Sequence, residues 1–296
     1  MLAYFLHDLS PFIYEFRPGM GLRWYGLAYV CSFLIGGWMY RWLARSGYTD
    51  MPEEQVSDFI TWSAVFGVMI GGRLGWAIFY GGRGVWEDPL SVFRVWDGGM
   101  ASHGGILGMI LFTYYWSWKK GVSWTSIGDS LVVVAPVGLF LVRLANFVNG
   151  ELYGRATTVM WAVLFPQELG MNEPSLREIR EDPAVRERLR EILVARHPSQ
   201  IYEAILEGLV LLGVLWWMRV KCRVPRGGIT GTFFILYAVL RIIGECFRVP
   251  DPAWSALGLS AGQFLSTFMV LIGVSFWVGA WRRPEYERVF RVGGEI

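Results

Sequence analysis

Two stretches of the sequence place charged and amide side chains on one face of a helix within apolar surroundings. In the first stretch, Arg143, Asn146 and Asn149 recur every three residues, and Glu151 follows directly after Gly150. The glycine predicts a helix end and a tight turn. An arginine that simply extends to a nearby polar surface is the plain alternative, although it would not need two asparagines and a glutamate beside it.

The second stretch carries Tyr237, Arg241, Glu245 and Arg248 at steps of four, four and three residues. All four therefore share one helix face. An internal ion pair between Arg241 and Glu245 is the plain alternative. We favour a face that meets the first stretch, so that Arg143 and Arg241 create a cationic pocket. A planar guanidinium group holds phosphate through two parallel hydrogen bonds, which makes a phospholipid head group a suitable ligand.

His103, in the run Ser102-His103-Gly104-Gly105, is the candidate for proton transfer. Histidine is the side chain most ready to take a proton near neutral pH. The two glycines after it expose backbone and let another group approach closely. A lone histidine is more often an ordinary hydrogen-bonded residue, and that alternative stays open.

The segment 197–203, His-Pro-Ser-Gln-Ile-Tyr-Glu, leads into an apolar run. Structure alone would explain it, since Ser199 suits an N-cap and Glu203 then lies near the positive end of the helix dipole. Substrate binding by Gln200, Tyr202 and Glu203 is the functional alternative.

Apolar helices must position these residues, because the chain is strongly hydrophobic. Of its 296 residues, 54% are hydrophobic and only 18% are charged, against about 25% charged in soluble domains. Runs of about 18–22 mostly apolar residues can cross a hydrocarbon core of about 30 Å. Such runs lie at 24–44, 59–80, 101–118, 127–148, 201–219, 229–247 and 261–281. The predicted fold class is therefore an all-α polytopic membrane protein, a single domain (1–296) with seven transmembrane helices.

Lysine and arginine in the short loops predict the orientation. Twelve lie in the loops after the first, third and fifth spans and in the C-terminal tail, against five on the other side. The N-terminus should then face out, the C-terminus the cytoplasm, and the loop 150–200 should be extracytoplasmic. Within that loop, 173–196 has the charge pattern of one or two amphipathic helices, either a solvated spacer or a part that grips substrate. Residues 1–16 favour a short interfacial helix over a secretory signal.

Several functional classes lack support in the sequence. The net charge of +2 comes without a basic patch, so nucleic acid is not an expected partner. The three cysteines have neither disulfide nor zinc spacing. No His-Glu-x-x-His, Gly-x-Ser-x-Gly or Gly-Lys-Ser motif is present. Small residues four apart predict close packing of helices, at Gly67, Gly71 and Gly75, at Gly104 and Gly108, and at Gly227 and Gly231.

In these residues the sequence resembles the prolipoprotein diacylglyceryl transferase family. The matching runs span nearly the whole chain in the expected order, and the His-Gly-Gly and Asn-Phe-x-Asn-Gly-Glu runs are the most specific. They are Trp24–Leu27, Gly71–Gly75, Phe93–Met100, Ser102–Gly105, Gly138–Arg143, Asn146–Arg155, His197–Glu203 and Arg241–Arg248. The segment 167–196 matches nothing in the family pattern.

The resemblance implies an enzyme that transfers the diacylglyceryl group of phosphatidylglycerol to the lipobox cysteine thiol of a prolipoprotein. The products would be a thioether and glycerol phosphate, in the first step of bacterial lipoprotein maturation. The expected partners are phosphatidylglycerol, other membrane lipid and the prolipoprotein signal peptide with its lipobox cysteine. The implied location is the outer leaflet of the bacterial cytoplasmic (inner) membrane. No metal or organic cofactor is implied.

Under this resemblance the candidate residues acquire roles. Arg143 and Arg241 would hold the leaving phosphate and stabilise its growing negative charge. His103 would take the proton of the attacking thiol, with Glu151 or Glu245 as alternatives for that role or as groups that orient the arginines. The expected substrate-binding set is Tyr25, Arg73, Asn146, Asn149, Gly154, Gln200, Tyr202, Glu203 and Tyr237, with Gly154 serving turn geometry.

Two other functions compete with the transferase. A lipid transporter or flippase would use the same cationic pocket, but it needs access from both faces, and the polar groups gather toward one end. A structural or receptor-like membrane protein would leave the buried ions without a purpose.

Overall fold

Helices form most of the chain in the computed structural model, which describes residues 4–17, 19–81, 88–94, 99–249, 255–256 and 259–289. The helices are α1 (Trp24–Arg45), α2 (Glu53–Phe79), α3 (Ser102–Lys120), α4 (Trp124–Val148), α5 (Leu176–Glu181), α6 (Pro183–Ile192), α7 (Ser199–Lys221), α8 (Gly228–Glu245) and α9 (Ala261–Arg282). Two of them contain a π-helical segment, Ser63–Ile70 in α2 and Ala204–Val210 in α7.

Five of these helices are long and apolar enough to cross a membrane. They are α2, α4, α7, α8 and the part of α9 from Gln263 to Arg282. Helices α1 and α3 fall outside the five, although α1 exposes Leu34 and Trp38 and α3 exposes Trp118, as lipid-facing helices do. A mostly helical, polytopic membrane protein is therefore supported, and the count of seven spans stays a prediction.

Contacts divide the chain into two compact units. The first takes in the described residues within Met1–Gly36, Val133–Cys222 and Ile229–Gly279. The second takes in those within Gly37–Val132, Arg223–Gly228 and Ala280–Ile296.

Glycines bring α2 and α3 into close contact in the second unit. A Cβ atom on Gly71 would lie 2.7 Å from the carbonyl oxygen of Gly104, and one on Gly75 would lie 2.5 Å from the Cα of Gly104. The helix backbones approach this closely because no side chain intervenes, as the four-residue spacing predicted. The prediction was wrong for Gly227, which precedes α8 with φ +88° and donates its N–H to Asp129 at 2.8 Å.

A small subdomain forms within the first unit from segments far apart in sequence. Strand β1 (Phe5–Leu6) pairs parallel with β4 (Val163–Leu164), which pairs antiparallel with β5 (Ala195–Arg196). Helices α5 and α6 lie over residues 173–196, as predicted, and a capping box at Ser175 starts α5. Their apolar side chains share a core formed by Leu6, Leu164, Ile179, Leu189 and Leu193.

The N-terminal segment forms strands, so the predicted interfacial helix over residues 1–16 was wrong where the chain is described. After β1, the antiparallel strands β2 (Phe12–Arg17) and β3 (Met20–Arg23) form a hairpin that leads directly into α1. Aromatic and β-branched residues favour a strand here. Gly19, with φ +75°, allows the tight connection. A further strand pair, β6 (Ser255–Ala256) and β7 (Leu259–Ser260), precedes α9.

His7 ties the N-terminal segment to the end of α4. Its Nε2 donates to the backbone oxygen of Phe147 at 2.7 Å, and its Nδ1 accepts from Gln167 at 3.2 Å. The ring also packs at 5.3 Å, centroid to centroid, from Phe165. Burial of this side chain lowers its pKa, so the neutral ring is the form that fits.

Candidate functional site

Arg143 of α4 and Arg241 of α8 meet on the carboxylate of Glu203 in α7. Arg143 Nε lies 3.1 Å from Glu203 Oε2, and Arg241 Nη1 lies 2.7 Å from Glu203 Oε1. Glu203 is fully buried. The two helix faces expected to meet therefore do so, through a third helix that supplies the bridging acid.

A second buried acid, Glu207, repeats this arrangement one helical turn further along α7. Its Oε2 lies 3.2 Å from Arg143 Nη2, and its Oε1 lies 3.2 Å from Arg241 Nη1. The residue is fully buried. Sequence reasoning missed it, although an ionisable residue inside an apolar span, four positions after Glu203, is a signal that could have found it.

The cluster is balanced in charge, which corrects the predicted cationic pocket. Arg241 Nη2 also pairs with Glu245 at 2.9 Å, and Arg248 Nη1 lies 3.4 Å from Glu203. Among the described residues, three arginines thus face three glutamates. The physical reason is that a guanidinium group buried in a medium of low dielectric constant needs a partner of opposite charge. The prediction considered the faces of α4 and α8 alone, so it left out the acids that α7 contributes.

Each of the two arginines keeps a nitrogen that these acids do not occupy. The carboxylates contact Nε and Nη2 of Arg143 and both Nη atoms of Arg241. In the described part of the chain, no acceptor contacts Nη1 of Arg143 or Nε of Arg241. Both side chains are still partly exposed, at 16% and 14%.

Tyr25, Asn146, Asn149 and Glu151 form a second polar cluster in the same unit. Glu151 Oε1 accepts from the Tyr25 hydroxyl, from Asn146 Nδ2 at 3.2 Å and from Asn149 Nδ2 at 3.4 Å. Asn146 Nδ2 also donates to the Tyr25 hydroxyl. The polar stripe predicted on α4 is thus continued by a tyrosine from the start of α1.

The backbone after α4 turns sharply and is held from α7. Gly150 has φ +68° and Leu152 has φ +58°, a strained conformation for a residue with a side chain. Gln200 Nε2 donates to the Glu151 carbonyl at 2.6 Å, and Ser199 Oγ donates to the Leu152 carbonyl at 2.9 Å. Ser199 is therefore not the N-cap that we predicted, since its hydroxyl serves this turn and the cap position is occupied by Pro198.

Gly154 and Tyr202 lie where this turn packs against neighbouring backbone. A Cβ on Gly154 would lie 2.5 Å from the Phe247 carbonyl oxygen and 2.7 Å from that of His197, so only glycine fits. The Tyr202 hydroxyl accepts from Trp161 Nε1 at 2.6 Å and lies 3.1 Å from His197 Nδ1. Burial lowers the pKa of His197.

Tyr237 lies one helical turn before Arg241 on α8. Its ring stacks on Phe233 with the centroids 5.8 Å apart. It is half-buried and lies on the face of α8 that carries the ion pairs.

Arg73, in the second unit, is bound by backbone. Its guanidinium donates to four carbonyl oxygens at 2.6–2.9 Å, those of Ser91, Val92, Arg94 and Gly99. It also lies 4.5 Å from the centroid of the Trp76 ring. These contacts hold a connecting segment in place, which differs from the substrate-binding role expected for Arg73.

His103 lies in the first turn of α3, also in the second unit, and its side chain is exposed. The neighbouring Gly104 packs against α2 and so fixes this end of the helix. Part of the family-like run 93–100, namely 95–98, lies outside the described residues. Within the described chain, no group of His, Cys, Asp or Glu is arranged to hold a metal ion.

Comparisons with known proteins show what the whole chain is similar to. A family model described as prolipoprotein diacylglyceryl transferase matches residues 11–279. A protein of Rhodospirillum centenum named phosphatidylglycerol–prolipoprotein diacylglyceryl transferase is 42% identical over 275 residues, 91% of this chain and 90% of its own length. A protein of the same name from Azospirillum brasilense is 42% identical over 293 residues, covering 96% and 99%.

Proposed function

We propose that this chain, which belongs to the prolipoprotein diacylglyceryl transferase family, transfers the diacylglyceryl group of phosphatidylglycerol to the cysteine thiol of a prolipoprotein. This reaction begins the maturation of bacterial lipoproteins. The observation that carries the proposal is the meeting of Arg143 and Arg241 on shared buried carboxylates. A phosphate diester bound by the unoccupied nitrogen of each guanidinium group would be held for displacement.

The reaction exchanges one bond for another at a glycerol carbon. The cysteine sulfur forms a bond to the carbon of the diacylglyceryl group that carries the phosphate, and the carbon–oxygen bond breaks. The electron pair of that bond stays on the phosphate oxygen, so glycerol phosphate leaves with an added negative charge. Arginine N–H groups directed at this oxygen stabilise the transition state more than the substrate, which lowers the barrier.

The thiol must lose its proton to become the attacking thiolate. We assign His103 as the proton acceptor, an assignment that rests on the sequence and on the family resemblance. Glu151 is the alternative, and its position among three hydrogen-bond donors supports a role in orienting neighbouring groups. Glu245 pairs with Arg241, which supports an orienting role for it as well.

The remaining candidates would bind or position the lipid. Asn146 and Tyr237 lie one helical turn from Arg143 and Arg241 on the same helices. Tyr25 of α1 adds a hydroxyl group that contacts Asn146. Gln200 and Gly154 would act by holding the turn 150–154 in shape. Tyr202 would act with Trp161 at the edge of the same turn.

The proposed enzyme is a multi-pass protein of the bacterial inner membrane with seven spans. The N-terminus and the loop 150–200 would lie outside, the C-terminus in the cytoplasm and the active site toward the outer leaflet. The loop charges described above support this orientation. A lipid transporter or flippase is not favoured, because the relatives are named as transferases.

The direct test is to incubate the purified protein with phosphatidylglycerol and a lipobox peptide, and to measure released glycerol phosphate and thioether-linked peptide. Both products should appear in equal amounts. A peptide whose cysteine is replaced by serine is the matched control and should give neither. Movement of labelled lipid between leaflets without either product would instead favour the transporter.

A further inference from the structure

Glu207 differs from the other acids of the cluster in what it contacts. Glu203 serves three arginines, since Arg248 lies 3.4 Å from its Oε1. Glu207 gives one oxygen to Arg143 and the other to Arg241, each at 3.2 Å. Within the described chain its carboxylate is therefore devoted to the two arginines that the proposed reaction needs.

The local structure of α7 brings this carboxylate to the arginines. Glu207 lies inside the π-helical segment Ala204–Val210, and π-bulges recur at functional sites. The next residue, Gly208, packs so closely on α4 that a Cβ there would lie 2.6 Å from Phe140 Cβ. Phe140 precedes Arg143 by one helical turn. The glycine thus lets α7 approach α4 at the level where Glu207 reaches Arg143.

Each carboxylate of the pair Glu203 and Glu207 bridges the same two guanidinium groups. Two bridges in parallel fix both the separation and the rotation of planar groups, where a single bridge would leave a hinge. Three acids also balance three arginines, so the cluster is neutral before a substrate binds. Removal of one acid would leave the arginines more attractive to an anion but less well oriented.

We infer that Glu207 is a positioning residue, which orients Arg143 and Arg241 so that their unoccupied nitrogens face one phosphate. This inference rests on the proposed function. It has a consequence that a purely structural acid would not have. Loss of its charge should lower kcat and at the same time lower KM for phosphatidylglycerol, because ground-state attraction rises while transition-state alignment is lost.

The test is Glu207→Gln, which keeps the shape of the side chain and removes its charge. We expect kcat to fall about 100-fold, the scale of a misplaced catalytic group, with KM for phosphatidylglycerol lower than in the wild type. The control is Glu168→Gln, which removes an acid from an ion pair with Arg196, 2.6 Å long, outside the cluster. Glu168→Gln should leave kcat, calculated per folded protein, and KM for phosphatidylglycerol at their wild-type values.

Glu207→Asp is the second variant, since it keeps the charge but is too short to reach both arginines. Its kcat should lie between those of the wild type and Glu207→Gln, and its KM for phosphatidylglycerol should equal that of the wild type. The inference is overturned if Glu207→Gln keeps the wild-type kcat, if its apparent kcat falls only in proportion to the folded fraction while KM is unchanged, or if neither variant folds. Turnover by the wild-type protein in the same assay tests the proposed function separately, so the two failures can be told apart.

Discussion

At the scale of residues, the site is a set of arginines held by acids rather than an open patch of positive charge. Glu203 and Glu207 each contact both Arg143 and Arg241, and the arginines keep one nitrogen each for another anion. Such an arrangement reduces the cost of burying charge and fixes the geometry before the lipid arrives.

Replacing Arg143 or Arg241 by lysine should reduce kcat about 100-fold, as loss of one stabilising donor typically does. Lysine keeps the charge, but its single ammonium group cannot hold two carboxylates and a phosphate in one plane. Steady-state rates of glycerol phosphate release measure the effect. Arg177→Lys, in an exposed ion pair with Glu181, is the control and should retain the wild-type rate. Wild-type turnover in both lysine variants would contradict a role for the planar guanidinium groups.

The spacing of side chains predicted that the helix faces of Arg143 and Arg241 meet, but it did not predict the acids that bind these arginines. Arg143, Asn146 and Arg241 were found because three- and four-residue steps mark one side of a helix. Glu207 was passed over because it is a single acid in an apolar run, and its partners depend on how α7 is rotated against α4. Arg73 was assigned to substrate binding because its true acceptors could not be predicted. They are backbone carbonyls about twenty residues away in the sequence.

At the scale of elements, close approach of helices sets the position of the reactive groups. Gly208 brings α7 onto Phe140 of α4, and Gly71 and Gly104 bring α2 onto α3. Helix positions followed from the length of apolar runs. The positions of the N-terminal strands could not be predicted in this way, because a short apolar segment fits a strand or an interfacial helix equally well until its partners are known.

Gly208→Ala should destabilise the protein by about 1–3 kcal/mol, the usual cost of overpacking, and should lower kcat by displacing Glu207. The added Cβ would lie 2.6 Å from Phe140 Cβ. Gly213→Ala, in the same helix, meets nothing within 4 Å and serves as the control. Thermal unfolding in detergent and turnover are the measurements. Equal effects of the two substitutions on stability and turnover would contradict the claim that close packing at Gly208 positions Glu207.

The contact between His7 and Phe147 should make stability depend on pH. Burial lowers the pKa of His7 in the folded protein, so the unfolded chain binds the proton more readily. Stability should therefore fall as the pH drops below about 6.5, the ordinary pKa of histidine. The part due to His7 should vanish in His7→Phe, as measured by thermal unfolding across this range. Identical pH profiles of variant and wild type would contradict the assignment.

At the scale of the whole molecule, several apolar helices carry the polar cluster. The loop between α4 and α7 supplies two short helices and two strands, and β1 from the N-terminal segment completes the small sheet. The family could be recognised from short runs of sequence. Three of these runs, Asn146–Arg155, His197–Glu203 and Arg241–Arg248, form the turn and most of the ion pairs of the site. The segment 173–196 has no such runs, and only its helices, not its role, could be predicted.

Cysteine labelling tests the proposed orientation. In a variant lacking the three native cysteines, Arg177→Cys on α5 should react with a membrane-impermeant thiol reagent in intact spheroplasts. Lys120→Cys at the end of α3 should react only after the membrane is permeabilised, because the proposed orientation puts this end of α3 in the cytoplasm. The opposite pattern would reverse the orientation and place the active site on the other leaflet.

The most direct measurement is a structure of the protein with phosphatidylglycerol bound. The distances that matter join the phosphate oxygens to Nη1 of Arg143 and to Nε of Arg241. We predict that both lie within about 3 Å, the length of a charge-assisted hydrogen bond, while Glu203 and Glu207 keep their contacts. A phosphate bound to one arginine alone, or away from both, would contradict the account.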